Sequence, residues 1–253
     1  MDIVLQFRPE PRTLLRGCWP IKCWIRRAAY LRSRFNCGER FTIQRSDRPL
    51  YCKDIGAIIT AAGLSSRMGA FKPLLTFKGR TVIENTVETV LSAATGPVVV
   101  VTGYRGEEIE KILERAFGER ILSVRNRNYR DTDMLYSIKT GLRELPDCAA
   151  FFLLPGDMPA VRPETLRLLV KEASTARDKM PGVIFPELRG RTGHPPLISA
   201  KLIPAILSYE GEGGLRGLWK SCGADILRIP VEDEGVVTDL DTPEDYEKLV
   251  EKS

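Results

Sequence analysis

The residues best suited to chemistry begin with a glycine-containing segment that carries two cations. Residues 60–72 read Thr-Ala-Ala-Gly-Leu-Ser-Ser-Arg-Met-Gly-Ala-Phe-Lys and directly follow the apolar run 55–59. A turn of small residues exposes backbone N–H groups, and Arg67 and Lys72 add positive charge, so the segment suits phosphate oxygens. Five residues separate its two glycines, which excludes the P-loop, and the dinucleotide fingerprint is absent. We therefore predict a triphosphate cradle here.

Each residue type in this cradle has a physical role. Ala61, Ala62 and Gly63 leave the backbone bare enough for a base or ribose to lie against it. Arg67 offers a planar fork to phosphate oxygens, whereas Lys72 offers a mobile point charge. Both cations would stabilise the negative charge that builds up on a departing pyrophosphate.

Three carboxylates form the second group of chemically suited residues. Asp157 follows the apolar run 149–154, and Asp239 and Asp241 lie two positions apart near the C-terminus. Alternate residues of an extended segment share a face, and a few carboxylates plus phosphate oxygens are what Mg²⁺ prefers. We therefore predict a metal site. The alternatives are a turn residue at Asp157 and a helix N-cap at Asp241.

The elements that must position these residues follow from the hydropathy pattern. Apolar runs alternate with amphipathic segments, which predicts an α/β fold with a mostly parallel sheet and helices on both faces. Ligands of such sheets bind at the carboxyl ends of the strands. The predicted strands are 55–59, 98–101, 121–124, 149–154, 183–185 and 226–229, and the predicted helices are 81–94, 107–116, 134–145, 164–176, 200–207, 215–221 and one beginning at 242.

Charge and cysteine content divide the 253 residues into two regions. Residues 1–53 carry 12 Lys and Arg against 4 Asp and Glu, whereas the remainder carries 26 against 29. The predicted domains are thus a basic extension, 1–53, and a catalytic domain, 54–253. The extension is expected to be disordered, or to reflect a coding start placed too far upstream, and to be dispensable for activity. Its four cysteines are spaced too widely for an ordinary zinc site.

Several classes of protein are excluded by composition. No apolar run approaches 18 residues, so no transmembrane helix is predicted, and the extension lacks the apolar core of a secretory signal. Two cysteines in the catalytic domain favour a reduced, cytoplasmic protein. The basic extension alone does not justify a nucleic-acid partner.

The cradle resembles the signature of the MobA-like nucleotidyltransferases over residues 60–72, with Thr60 in place of a leading Leu. Gly-Asp-Met-Pro at 156–159 and Asp-x-Asp-Thr-Pro-Glu-Asp at 239–245 look like the two metal motifs of that family, in the expected order. The resemblance covers roughly residues 55 to 250. The matching cradle residues are Ala61, Ala62, Gly63, Ser65, Arg67, Met68, Gly69 and Lys72.

This resemblance implies a Rossmann-like fold of the nucleotide-diphospho-sugar transferase type and an Mg²⁺-dependent nucleotidyltransferase. The Ala-Ala-Gly form of the cradle is most similar to relatives that join CMP from CTP to molybdopterin. It also implies a client molybdenum hydroxylase as a partner. The residues implied are Arg67, Lys72 and Asp157 for catalysis; the cradle with Thr102 and Ser137 for the nucleotide; Asp157, Asp239 and Asp241 for the metal; and His194 and Arg216 for the acceptor.

The chain departs from the family pattern in two segments. Between residues 126 and 137, Arg127 replaces a Pro and Asp133 replaces a Gly, and Glu212 replaces an Asp further on. Two other functions therefore stay open. One is the same chemistry on a sugar phosphate or another phosphorylated small molecule, and the other is a non-catalytic protein that binds and delivers cofactor.

Overall fold

The computed structural model describes residues 55–64, 70–93, 96–175 and 180–251. The predicted extension 1–53 and the predicted site residues Ser65, Arg67 and Gly69 lie outside these ranges.

The described residues form an eight-stranded sheet and a small two-stranded one. The strands are β1 (Ile55–Ala61), β2 (Thr76–Phe77), β3 (Arg80–Thr81), β4 (Val98–Thr102), β5 (Ile121–Arg125), β6 (Ala150–Pro155), β7 (Val183–Leu188), β8 (Arg191–Thr192), β9 (Leu197–Ser199) and β10 (Ile226–Pro230). The helices are α1 (Val82–Ser92), α2 (Gly106–Phe117), α3 (Met134–Glu144), α4 (Pro163–Thr175), α5 (Ile203–Ser208), α6 (Gly214–Ser221) and α7 (Pro243–Glu251), with short 3₁₀ helices at Lys72–Leu74, Gly118–Arg120, Ala200–Leu202 and Glu234–Val237.

The large sheet has the order β10-β7-β9-β6-β1-β4-β5, with β8 paired to β7. The pairs β6-β1, β1-β4, β4-β5 and β7-β10 are parallel, and the short strands β8 and β9 run antiparallel to their neighbours. Since β9 is antiparallel to both β6 and β7, every strand of the large sheet except β8 and β9 points the same way. The predicted mostly parallel sheet is confirmed, and its carboxyl ends meet at one edge.

Two apolar layers lie on opposite faces of this sheet. Helices α1, α2 and α4 pack together with one face, and α3, α5 and α6 pack together with the other. Alternate residues of β1 enter the two layers: Ile59 joins the first cluster and Ile58 the second, as expected for a strand covered on both sides. The prediction of helices on both faces is confirmed.

Local sequence signals explain where most of the helices begin and end. The hydroxyl of Thr81 accepts from the Glu84 N–H while the Glu84 carboxylate accepts from the Thr81 N–H, so the predicted capping box begins α1. The predicted helix 200–207 is divided into a 3₁₀ turn and α5, where Pro204 occupies the first turn. Strands β2, β3, β8 and β9 were not predicted, because two or three residues carry no readable periodicity.

Among the described residues, no helix is long and apolar enough to cross a membrane.

Candidate active site

A cavity of ≈ 300 Å³ opens at the carboxyl ends of β1 and β6. Six of the predicted site residues line it, namely Ala61, Ala62, Gly63, Lys72, Ser137 and Asp157. The remaining lining residues are Thr60, Pro73, Tyr129, Thr132, Asp133, Met134, Pro155 and Gly156.

The approach of Asp157 to the cradle depends on the glycine before it. Thr60 pairs with Pro155 at the end of the two strands, and the Gly156 N–H donates to the Thr60 carbonyl at 2.9 Å. A Cβ on Gly156 would lie 2.9 Å from Cδ1 of Ile83 and 3.1 Å from Cβ of Ala61. Glycine therefore permits the tight packing that places the Asp157 carboxylate beside the cradle.

Lys72 lies between two of the predicted carboxylates. Its Nζ is 2.8 Å from Oδ1 of Asp241 and 3.3 Å from Oδ2 of Asp157, and its side chain is only 10% exposed. The sequence predicts a mobile cation at this position, and the structure instead holds the ammonium in ion pairs. A buried cation held in this way is fixed in place, which suits a group that must meet phosphate oxygens at a defined point.

The environment disfavours a negative charge on Asp157. Burial raises the pKa of the Asp157 carboxyl above its usual range; the Lys72 ammonium opposes this shift, and the nearby Asp239 carboxylate adds to it. Asp157 and Asp239 are thus close enough to repel each other. Two neighbouring carboxylates of this kind gain stability from a shared cation.

The segment that carries Asp239 and Asp241 belongs to no helix or strand. Leu240 between them is fully buried, whereas Asp239 is exposed and Asp241 is half-buried, and neither aspartate lines the cavity. Helix α7 is capped by Thr242, whose hydroxyl accepts from the Asp245 N–H at 3.2 Å while the Asp245 carboxylate accepts from the Thr242 N–H at 3.0 Å. The alternative role of Asp241 as the N-cap is therefore wrong, because Thr242 fills it.

The donor set fits a divalent cation that is completed by phosphate. Within the described ranges, no three Asp, Glu, His or Cys groups converge as a metal site, so the predicted cluster of three carboxylates does not form there. Lys72 forms its shorter ion pair with Asp241, at 2.8 Å, and its longer one with Asp157, at 3.3 Å. Asp157 and Asp239 act on each other electrostatically and could share a cation, and one or two carboxylates plus substrate phosphates are the usual protein ligands of Mg²⁺.

The wall opposite the cradle is organised by Asn126, a buried residue that the sequence prediction did not include in the site. Its Nδ2 donates to the hydroxyls of Thr132 and Ser137, each at 3.1 Å, and its Oδ1 accepts from the Asn128 N–H at 2.9 Å. This network folds the loop after β5 so that Tyr129 faces the cavity. The resemblance of residues 126–137 to the family pattern indicated this region. The substitutions within it meant that the sequence did not show which side chains would line the site.

A close backbone contact joins that wall to the cradle. A Cβ on Gly103 would lie 2.6 Å from the Ala62 carbonyl oxygen and 2.8 Å from Cβ of Tyr129. The Tyr104 ring packs edge-on against Phe71, with centroids 5.3 Å apart, and contacts Tyr129 at 6.2 Å. The start and the end of the cradle are thus held by the turn after β4.

Thr102 does not line the cavity, contrary to its predicted role in nucleotide binding. Its hydroxyl donates to Oε1 of Glu110 at 2.6 Å, and Glu110 also accepts from Arg125 at 2.6 Å. These bonds fasten β4 to α2 and β5 behind the site. The end of a strand predicts the location of a residue correctly but does not predict the direction of its side chain.

His194 does not line the cavity. Burial lowers the pKa of its imidazole, while Asp239 and Asp157 act in the opposite direction. Nδ1 of His194 is buried and has no hydrogen-bond partner among the described residues. A neutral imidazole near Asp157 and Asp239 suits ligand binding or loop shaping more than proton transfer.

Arg216 is exposed on α6 and does not line the cavity. Its helix is nevertheless connected to α3, which carries Ser137 on the cavity wall, through Lys139, a buried lysine that the sequence did not single out. Nζ of Lys139 donates to the Tyr209 carbonyl at 2.6 Å and lies 3.6 Å from Glu210. Lys139 therefore anchors the turn that leads into α6.

Known proteins resemble both the sequence and the fold. The molybdenum cofactor cytidylyltransferase of Escherichia coli (strain K12) is 30% identical over 192 residues, which cover 76% of this chain and 93% of that protein. A probable molybdenum cofactor guanylyltransferase of Geobacillus sp. (strain WCH70) is 25% identical over 78% of this chain and 98% of its own length. The solved structure of a nucleotidyl transferase from Methanothermobacter superposes with a TM-score of 0.65 at 29% identity, covering 78% of this chain and 96% of that one.

The model of the MobA-like NTP transferase domain matches residues 57–226. This range contains the cradle, both walls of the cavity and Asp157. The chain is therefore a member of the MobA-like NTP transferase family, and it is a nucleotidyltransferase.

Proposed function

We propose that this chain transfers CMP from CTP to a molybdopterin cofactor and releases pyrophosphate in an Mg²⁺-dependent reaction. The observation that carries the proposal is the position of Lys72 and Asp157 on the same cavity as the bare backbone of residues 61–63. The groups that would bind the nucleotide, its departing pyrophosphate and the metal ion then all lie on one cavity. The cytidylyltransferase relative supports the choice of CTP and molybdopterin, as does Ala62 in the cradle.

The reaction needs few groups from the protein. An oxygen of the acceptor phosphate attacks the α-phosphorus of CTP in line; a P–O bond forms there, and the bond to the bridging oxygen of the β-phosphate breaks. The electron pair leaves with pyrophosphate. Lys72, with Arg67, would stabilise the charge on the β- and γ-phosphates. The acceptor phosphate is already ionised, so no general base is required, which agrees with a neutral His194.

Asp157 and Asp239 would hold the Mg²⁺. A bound Mg²⁺ neutralises charge on phosphate oxygens and orients them for displacement. The raised pKa of Asp157 supports this assignment, because a buried carboxylate next to a second one is stabilised by a cation.

Pyrophosphate release tests the proposal. The purified chain is incubated with Mg²⁺, molybdopterin and each of CTP, GTP, ATP and UTP in turn. We expect release with CTP only, and only when molybdopterin is present. Release with GTP instead would contradict the base choice, and release with a panel of sugar phosphates but not with molybdopterin would contradict the acceptor.

A variant separates catalysis from cofactor delivery. Asp157→Ala is expected to abolish turnover and to leave molybdopterin binding within about twofold, since Asp157 is assigned to the metal and not to the acceptor. Full turnover in this variant would contradict the metal assignment.

A further inference from the structure

Asp233 is a buried carboxylate outside every motif described so far. It is 3% exposed and accepts three hydrogen bonds. Its Oδ2 accepts from the Thr165 hydroxyl at 2.6 Å and from the Arg162 N–H at 2.9 Å, and its Oδ1 accepts from the Gly235 N–H at 2.9 Å. A buried carboxylate with this many donors is well satisfied, so its charge is held firmly in place.

The bond to Gly235 is local, because it caps the 3₁₀ helix Glu234–Val237. The other two bonds reach 68 positions back along the chain, to Thr165 in the first turn of α4, and 71 positions back, to Arg162 just before that helix. Asp233 therefore does more than cap its own helix. It ties that helix to the loop 157–162, which begins with Asp157.

The 3₁₀ helix is packed closely against two loops of the site. A Cβ on Gly235 would collide with the backbone of Ala160. On the other side, the Val236 carbonyl accepts from the His194 N–H at 2.7 Å, and a Cβ on Gly193 would lie 2.7 Å from Cγ2 of Val236. The helix thus contacts the loops that carry Asp157 and His194.

The chain leaves this helix directly into the segment that carries Asp239. Asp239 lies six positions after Asp233, and Leu240 then enters a buried cluster with Phe77 and Val82. The separation between Asp157 and Asp239 is therefore set at one end by the bonds of Asp233 and at the other by the burial of Leu240.

We propose that Asp233 is a positioning residue for the metal-binding pair, which holds the Asp157 loop and the Asp239 segment at the separation that a divalent cation requires. It does not touch the cation itself. The inference rests on the proposed metal role of Asp157 and Asp239. Residues that orient metal ligands through hydrogen bonds commonly change metal affinity by about 10- to 100-fold when they are replaced.

The test measures metal binding directly, with the full chain and without turnover. Mn²⁺ is titrated by electron paramagnetic resonance in the presence of CTP and the absence of acceptor, and CTP binding is measured separately without metal. The variants are Asp233→Asn, Thr165→Val and the matched control Glu232→Gln, which removes a charge from an exposed neighbour. If the wild type prefers another nucleotide, that nucleotide replaces CTP in every titration.

We expect Asp233→Asn to weaken Mn²⁺ binding by about 10- to 100-fold. The side-chain amide would present an N–H group at a position where the carboxylate oxygen accepts a hydrogen bond. Thr165→Val removes one hydrogen bond and is expected to weaken binding by roughly twofold to tenfold. Metal-free CTP binding should stay within about twofold in both variants, and Glu232→Gln should match the wild type.

Two results would overturn the inference without contradicting the proposed function. One is unchanged Mn²⁺ affinity in folded Asp233→Asn, or in Thr165→Val if Asp233→Asn does not fold. The other is an equal loss of metal-free CTP binding, which would make Asp233 a general structural residue. A wild-type chain that binds no Mn²⁺ with any nucleotide would instead refute the metal role and the positioning role together.

Discussion

Nζ of Lys72 lies 2.8 Å from Oδ1 of Asp241, although 169 positions separate the two residues. The same ammonium contacts Asp157. Lys72, which we propose binds phosphate, is thus already paired with a carboxylate that we assign to the metal. Binding of a metal–triphosphate complex would exchange these contacts, with phosphate oxygens replacing carboxylate oxygens around Lys72. The positive charge of Lys72 is thus already compensated by carboxylates before the substrate arrives.

Replacing Lys72 tests its role in stabilising the leaving group. We expect Lys72→Met to lower kcat by roughly 100- to 1,000-fold, the usual cost of losing one preorganised electrostatic contact to a developing charge. Steady-state pyrophosphate release measures this. The exposed Lys111→Met is the control and should leave kcat unchanged. A loss confined to KM would show that Lys72 binds substrate and transition state equally.

The raised pKa of Asp157 predicts a gain in stability when its charge is removed. A carboxyl whose pKa is higher in the folded than in the unfolded state stabilises the fold only while it is protonated, so this contribution is lost as the pH rises through the folded pKa. At pH 7 the metal-free Asp157→Asn variant should therefore have a higher Tm than the wild type.

This gain should shrink as the pH is lowered and the wild-type carboxyl becomes protonated. Thermal unfolding in chelator, followed by circular dichroism from pH 7 downward, measures it, with the exposed Asp147→Asn as the control. A lower Tm of Asp157→Asn at pH 7 would mean that the attraction of Lys72 outweighs the cost of burial.

Two glycine substitutions separate crowding from ligand contact. Gly103→Ala places a Cβ against Ala62 and Tyr129, so we expect a loss of about 1–3 kcal/mol in unfolding free energy together with weaker CTP binding. A Cβ on Gly63 meets nothing within 4 Å, so Gly63→Ala should keep wild-type stability and weaken CTP binding alone. Denaturant unfolding and CTP titration measure both. Wild-type CTP affinity in Gly63→Ala would contradict the cradle.

The buried Lys139 is predicted to serve the acceptor side. Lys139→Met removes the bond to the Tyr209 carbonyl that anchors the turn before Arg216. We expect the KM for the acceptor to rise while the KM for CTP changes by less than about twofold. Glu210→Gln is the control, since Glu210 is 88% exposed and an exposed ion pair contributes little. An equal rise in both KM values would place Lys139 among general structural residues.

Thr102 and Ser137 have opposite expected phenotypes. Thr102→Val loses a hydrogen bond to Glu110 and should cost about 1 kcal/mol of unfolding free energy with no change in the KM for CTP. Ser137→Ala alters the cavity wall and should raise that KM. A raised KM in Thr102→Val at unchanged stability would restore the nucleotide-binding role that its sequence position predicted.

Most of the fold follows from local patterns. The apolar runs at 98–101 and 149–154 can only be covered on both sides, and parallel strands of this kind present their carboxyl ends at one edge. Because β1 and β6 pair in parallel, this rule brings residues 61–63 and Asp157 to one cavity, which Lys72 reaches from the 3₁₀ helix Lys72–Leu74. The predictions of the parallel sheet, of the family and of a nucleotidyltransferase are all confirmed, because each depends on periodicity or on a long ordered motif.

The contacts of individual side chains depended on the tertiary structure. Lys72 is paired rather than mobile because Asp241 packs beside it from 169 positions away in the chain. Thr102 bonds to Glu110 only eight positions on, but that contact depends on how the helix after β4 packs against the sheet. The local sequence around Asp233 predicts at most a helix cap, since two of its three partners, Arg162 and Thr165, lie about 70 positions away at the start of α4. Periodicity specifies which face of an element is buried, whereas long-range packing specifies which atoms meet there.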